Sequence, residues 1–166
     1  MNAFAYTDHC LGQFIEKLKK SPVWDELLLV LLPDHGMMYQ LTYEDPDFFH
    51  IPVLWLGGAI KSPKQIHTLM NQSDVAATLL SQLGLSHRHF AWSRNVLSKN
   101  YRYPFAYSSF PSGIMFADST GVSIYDINSN TEIVGRPSNN PGRITKAKAI
   151  LQSSYDDLTR LGKTGN

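Results

Sequence analysis

Asp34, His35 and Gly36 follow directly on the apolar run Leu27–Leu32. An adjacent Asp and His can give one carboxylate oxygen and one imidazole nitrogen to a divalent ion such as zinc or manganese. Gly36 lets the backbone turn sharply and keeps such a site open. The plainer alternative is that Asp34 caps the next segment and His35 packs. His50 comes next, in Phe48-Phe49-His50-Ile51-Pro52, at the mouth of a second apolar run. It could be a second imidazole ligand, an acid or base, or a donor to a substrate phosphate. Its alternative is a loop histidine bonded to backbone.

The remaining polar residues carry less. His87 and His89 could pair as ligands, although a polar loop accounts for them more cheaply. Glu44, Asp45 and Asp47 read as a solvated acidic loop, His9 as a surface or packing residue of the first helix, and Cys10 as a buried core thiol. No Gly-x-Ser-x-Gly elbow and no phosphate-cradling glycine loop is present. The residues thus offer half of a metal site and no obvious nucleophile.

The elements that must position these groups are legible from periodicity. Residues 3–20 predict an amphipathic helix, with Phe4, Leu11, Phe14, Ile15 and Leu18 on one face and lysines near its end. Leu27–Leu32 predicts a strand buried on both faces, delivering Asp34-His35-Gly36 at its carboxyl end, where open α/β sheets bind ligands. A polar and aromatic loop, Met37 to Phe49, leads to a strand over Ile51–Leu56, stopped by Gly57-Gly58. If these strands are neighbours, His35 and His50 share one sheet edge. Residues 72–84 predict a second helix, with Ser73 as N-cap and Gly84 as C-cap. Beyond it, Tyr103–Ser109, Gly113–Ala117, Val122–Asp126 and Thr131–Val134 alternate with turn sequences as an antiparallel meander. Residues 137–142 read as a loop, 143–161 as a last helix and 162–166 as a frayed tail.

Composition bounds the rest. With 166 residues and 43% hydrophobic, 17% charged and 11% aromatic content, the chain is globular and of one-domain size. A net charge of +1 without a basic stripe gives nucleic acid little support. A single cysteine excludes an internal disulfide framework. The longest apolar run is far short of the ~20 residues that span a bilayer. The first residues are unlike a signal peptide. Taken alone, these features describe a soluble intracellular domain.

Three stretches carry a resemblance. Tyr6-Thr7-Asp8-His9-Cys10-Leu11-Gly12-Gln13-Phe14-Ile15-Glu16-Lys17-Leu18, then Trp24-Asp25-Glu26-Leu27-Leu28-Leu29-Val30, then Pro33-Asp34-His35-Gly36 resemble the sulfatase-like branch of the alkaline phosphatase superfamily. Within that branch they look most like the lipoteichoic acid synthase and phosphoglycerol transferase group. His50-Ile51-Pro52-Val53 and the Asp74-containing helix ending at Leu83-Gly84 fit the same pattern. The resemblance covers about residues 3–85. Pro33 departs from the glycine common at its position in the family.

The resemblance implies an α/β fold, the C-terminal part of an alkaline-phosphatase-like α/β/α sandwich with an antiparallel β extension and a C-terminal helix. Residues 1–166 are then one domain, with 1–90 the α/β part holding the metal-ligand loop and 91–166 the antiparallel strands and last helix. It implies metal-dependent phosphoryl or sulfuryl transfer on phosphate or sulfate esters, possibly lipid-linked, in which a Thr, Ser or formylglycine attacks beside a divalent metal. The metal would be zinc, manganese, calcium or magnesium. Asp34 and His35 match the family's metal pair, and His50 matches a substrate-side histidine. The family's nucleophile lies upstream of the matched segment. The expectation is therefore a C-terminal fragment, soluble and inactive alone, of a cell-envelope enzyme whose membrane segments lie further upstream and whose catalytic domain is extracytoplasmic. A non-catalytic binding or assembly module with the same fold is the rival. A truncated sheet should also self-associate, giving a homo-oligomer.

Overall fold

The computed structural model describes residues 2–36, 41–138 and 140–164. The chain is mixed α/β, with antiparallel sheets and a C-terminal helix. It divides into two compact units, one of residues 1–36 and 51–66, the other of residues 37–50 and 67–166.

The first unit holds helix α1 (Asn2–Lys19) and strands β1 (Leu29–Leu31) and β2 (Leu54–Leu56). Ser21-Pro22 ends α1 as expected, with Ser21 N–H and Oγ both donating to Leu18 O. No residue of α1 is buried: Leu11, Ile15 and Leu18 of its apolar face are half-buried, Phe4 and Phe14 are exposed, and Cys10 is exposed rather than a core thiol. β1 and β2 form an isolated antiparallel pair, Leu29 opposite Leu56 and Leu31 opposite Leu54. The strand expected to be buried on both faces is only half-buried, because a two-stranded pair has no flanking strands to enclose it. Gly57 follows β2 at φ +121°, and a Cβ there would stand 2.1 Å from Leu27 O, so only glycine fits this return of the chain.

The second unit is a four-stranded meander, β3 (Phe105–Phe110), β4 (Gly113–Asp118), β5 (Gly121–Asp126) and β6 (Thr131–Arg136), in sequential order. Two-residue connections join β3 to β4 and β4 to β5, and a bulge at Ile124/Tyr125 shifts the last pairing. At the β4–β5 turn Gly121 has φ +122°, and a Cβ would meet Arg136 O at 2.0 Å. Helix α3 (Pro141–Thr164) lies against this sheet: Ile114, Phe116, Tyr125 and Ala147 are buried together, with Phe105, Tyr107, Ile144, Ile150 and Leu151 around them. α3 starts two residues earlier than periodicity suggested. Asn140 accepts from Arg143 N–H and Pro141 fills the first helical position, where its missing N–H costs nothing.

Helix α2 (Asp74–Gln82) ends as expected at Gly84, φ +68°, where Leu85 N–H donates to Leu80 O and Gly84 N–H to Ser81 O. Its start differs from expectation. Ser73 is helical and makes no cap bond; its hydroxyl donates to Trp92 O instead, and Asp74 turns back to accept from Asn71 N–H. The loop before β2 is also built into this unit. Asp45 accepts from Asp47 N–H to start a short 3-10 helix, Pro46–Phe49, and the buried Phe48 meets Tyr43, which stacks on Phe110 at 5.0 Å.

Candidate functional site

Asp34 and His35 stand together beyond the end of β1. Their side chains are 91% and 70% exposed, and Asp34 Oδ1 lies 3.7 Å from His35 Nε2. His35 Nδ1 is 2.7 Å from Gly36 O. A carbonyl can only accept, so Nδ1 carries a proton; in the neutral ring Nε2 is then the nitrogen that can ligate. That tautomer is the one a metal-binding histidine needs, held by a backbone acceptor as such residues usually are. Asp34 Oδ1 also accepts from His35 N–H at 3.1 Å, which fixes the carboxylate beside the ring. Two donors each ~2 Å from one tetrahedral ion stand ~3.3 Å apart, so the observed spacing suits a shared ion with little adjustment.

The fit is that of half a site. Among the described residues no group of three or more His, Cys, Asp or Glu could hold a metal. His50 is exposed at the end of the 3-10 helix, its N–H donating to Asp47 O, and belongs to the second unit, whereas Asp34 and His35 belong to the first. The register does place the exit of β1 and the start of β2 at the same end of their pair. Residues 37–40 of the expected loop lie outside the described residues. Of the weaker candidates, His9 is exposed with Nε2 3.0 Å from Gln13 Nε2, His89 is exposed and His87 is half-buried.

The polar clusters that periodicity did not reveal all lie in the second unit. Asp74, fully buried, accepts from Arg94 Nε at 2.9 Å, Nη2 at 2.5 Å and backbone N–H at 2.8 Å, while the Arg94 guanidinium lies 3.7 Å from the centre of the Phe105 ring. Asp118 accepts from Tyr103 Oη, Lys146 Nζ, and the hydroxyl and N–H of Thr120. Burial pushes the Asp118 carboxyl up, but these donors outweigh burial and hold it well below the usual carboxylate range. Lys146 is raised by its bonds to Tyr103 and Asp118. Arg143, fully buried, reaches only neutral oxygens: Ser123 Oγ at 2.7 Å, Thr120 O at 2.8 Å and Pro137 O. No spacing rule exposes these pairs, since their partners lie far apart in sequence.

Comparison with known proteins bears on the first unit most directly. The Sulfatase family model matches residues 1–85. The chain is 26% identical over 125 residues to lipoteichoic acid synthase 2 of Bacillus subtilis (strain 168), covering 64% of this chain and 19% of that protein. It is 28% identical over 88 residues to arylsulfatase K of Rattus norvegicus, covering 49% of this chain and 16% of that protein. The chain thus spans less than a fifth of the length of these relatives. No solved structure matches it.

Proposed function

The chain belongs to the sulfatase family, whose fold is of the sulfuryl and phosphoryl transfer type, and from that premise we propose that residues 1–166 are the C-terminal part of one metal-dependent catalytic domain acting on phosphate or sulfate esters. The observation that carries this reading is the Asp34–His35 pair, with Nδ1 of the ring bonded to Gly36 O and the carboxylate 3.7 Å from Nε2. Asp34 and His35 supply two ligands to a divalent ion, zinc, manganese, calcium or magnesium. When bound, that ion would act as a Lewis acid toward the ester and lower the pKa of an attacking hydroxyl. His35 Nδ1 keeps its proton on Gly36 O, so the ring presents one fixed face. His50 is assigned to the substrate side, where an imidazole can donate to an ester oxygen. The nucleophile and the remaining ligands come from polypeptide outside this chain, so the chain alone is inactive. The parent is a cell-envelope enzyme whose catalytic domain faces outward, and its ester is free or lipid-linked.

The test is metal binding and turnover on the purified chain. Calorimetric titration with Zn²⁺ and with Mn²⁺ is expected to show weak binding that Asp34→Ala abolishes and His89→Ala leaves intact. No hydrolysis of p-nitrophenyl phosphate or p-nitrophenyl sulfate is expected. Robust turnover by the chain alone would overturn the fragment assignment. Loss of binding in His89→Ala but not in Asp34→Ala would move the metal to the His87–His89 loop.

A further inference from the structure

The connection from the end of α2 to the start of β3, Leu83 to Pro104, contains no helix or strand. Irregular connections longer than ~12–15 residues are uncommon in compact domains, and those that are ordered usually have a role of their own. This one is ordered. Its inner side is fastened along α2: Trp92 O accepts from Ser73, Ser93 Oγ from Ala77 N–H, and Val96 N–H donates to Thr78 Oγ1, while Arg94 holds Asp74. Tyr101 Oη donates to Leu69 O further along.

Its exposed side chains include apolar and cationic ones. Leu85 and Phe90 are 55% and 49% exposed, and Trp92 and Leu97 are exposed as well. Single exposed apolar residues are ordinary, but a polar loop of this kind has no structural need to turn several outward at once. Arg88, Lys99 and Arg102 are exposed on the same segment. The sequence from Val75 to Ala117 contains no Asp or Glu. Among the described residues, the carboxylates that hydrogen-bond to the segment each have a cation: Asp74 with Arg94, Asp118 with Lys146, and Asp157, which accepts from Trp92 Nε1, with Arg160.

We propose that the Leu83–Pro104 connection is a docking surface for an anionic lipid membrane, with Leu85, Phe90 and Trp92 entering the interface and Arg88, Lys99 and Arg102 meeting lipid headgroups. Charge complementarity favours an anionic occupant, because the segment itself carries Arg88, Arg94, Lys99 and Arg102 and no Asp or Glu. The leucine and aromatic side chains select a membrane over a dissolved polyanion, which would gain nothing from Leu85. Lipid surfaces reward this combination, with apolar side chains buried at the headgroup boundary and cations at the anionic surface. The surface is independent of the transfer chemistry and of Asp34 and His35.

The test is co-sedimentation of the chain with vesicles of phosphatidylglycerol and phosphatidylcholine, against vesicles of phosphatidylcholine alone, with and without added salt. Binding to the anionic vesicles only, weakened by salt, is expected. Arg88→Glu with Lys99→Glu should lower it on the order of tenfold or more, since each cation near such a surface contributes substantially. Leu85→Ser with Phe90→Ser should lower it comparably, and because these side chains are exposed both double variants should keep the wild-type thermal transition. Equal binding to phosphatidylcholine alone, no binding at all, or binding unchanged in either variant would overturn the proposal. Binding lost on charge reversal but kept in Leu85→Ser with Phe90→Ser, and competed by soluble polyphosphate, would assign the surface to a dissolved polyanion instead.

Discussion

The unit of residues 1–36 and 51–66 and the unit of residues 37–50 and 67–166 divide the molecule's work unevenly. The first carries Asp34 and His35, and among its described residues none is buried. The second holds all the side chains that are buried among the described residues, from Phe48 and Asp74 to Ala147, together with the ion pairs that cross between elements. The difference follows from what each has to pack. Four strands with an apolar face and a helix laid on it can enclose a core; two three-residue strands and a helix that touches little cannot. A unit that bears the candidate chemistry without a core of its own is what a segment of a larger catalytic domain would be, and this supports the proposed fragment status.

The contrast can be broken most decisively by core truncation. Phe116→Ala should cost the second unit about 3–5 kcal/mol, as large-to-small changes in a closed core do, whereas Val30→Ala in the half-buried β1 should cost less than about 1 kcal/mol. Urea denaturation followed by circular dichroism measures both, and equal losses would erase the distinction. Next in size, Asp74→Ala strips Arg94 of its carboxylate and should cost about 3 kcal/mol. The same titration reads it, and a loss within error would mean that the pair is not part of what holds α2.

A pH series sharpens the contrast further. The Asp118 carboxyl sits below its unfolded value of ~3.9, so its contribution is complete above that value and is lost as the pH falls toward the folded value. The second unit should weaken as the pH drops below about 4, and Asp118→Asn should flatten that dependence; an unchanged slope in the variant would place the acid sensitivity elsewhere. The smallest expected effect is that of Asp34→Ala, whose side chain is almost fully exposed: the melting curve should move by less than about 0.5 kcal/mol while metal binding disappears.

The meander and the last helix were legible in the sequence because turn residues punctuate them and because Ile144, Ala147 and Leu151 keep helical spacing. The ends were less so. β3 begins at Phe105 rather than Tyr103, since Pro104 has no N–H to give a ladder, and the start of α3 hid in a run of Asn, Pro and Gly that also reads as loop. β1 misled in burial, because an apolar run records what a strand can tolerate on its faces and not which neighbours are present to cover them. Asp34 and His35 were legible as a pair since adjacency alone sets their reach. Arg94 and Lys146 were not, because their partners are brought to them only by the tertiary fold.

Among the described residues the buried guanidinium of Arg143 has no carboxylate in its set of acceptors, only two carbonyls and a pair of hydroxyls. An ion pair loosens when its acid takes up a proton or when salt screens it. A buried cation fastened by neutral oxygens has neither weakness. Acid that loosens Lys146 from Asp118 therefore leaves Arg143, at the root of α3, fastened to the β4–β5 turn.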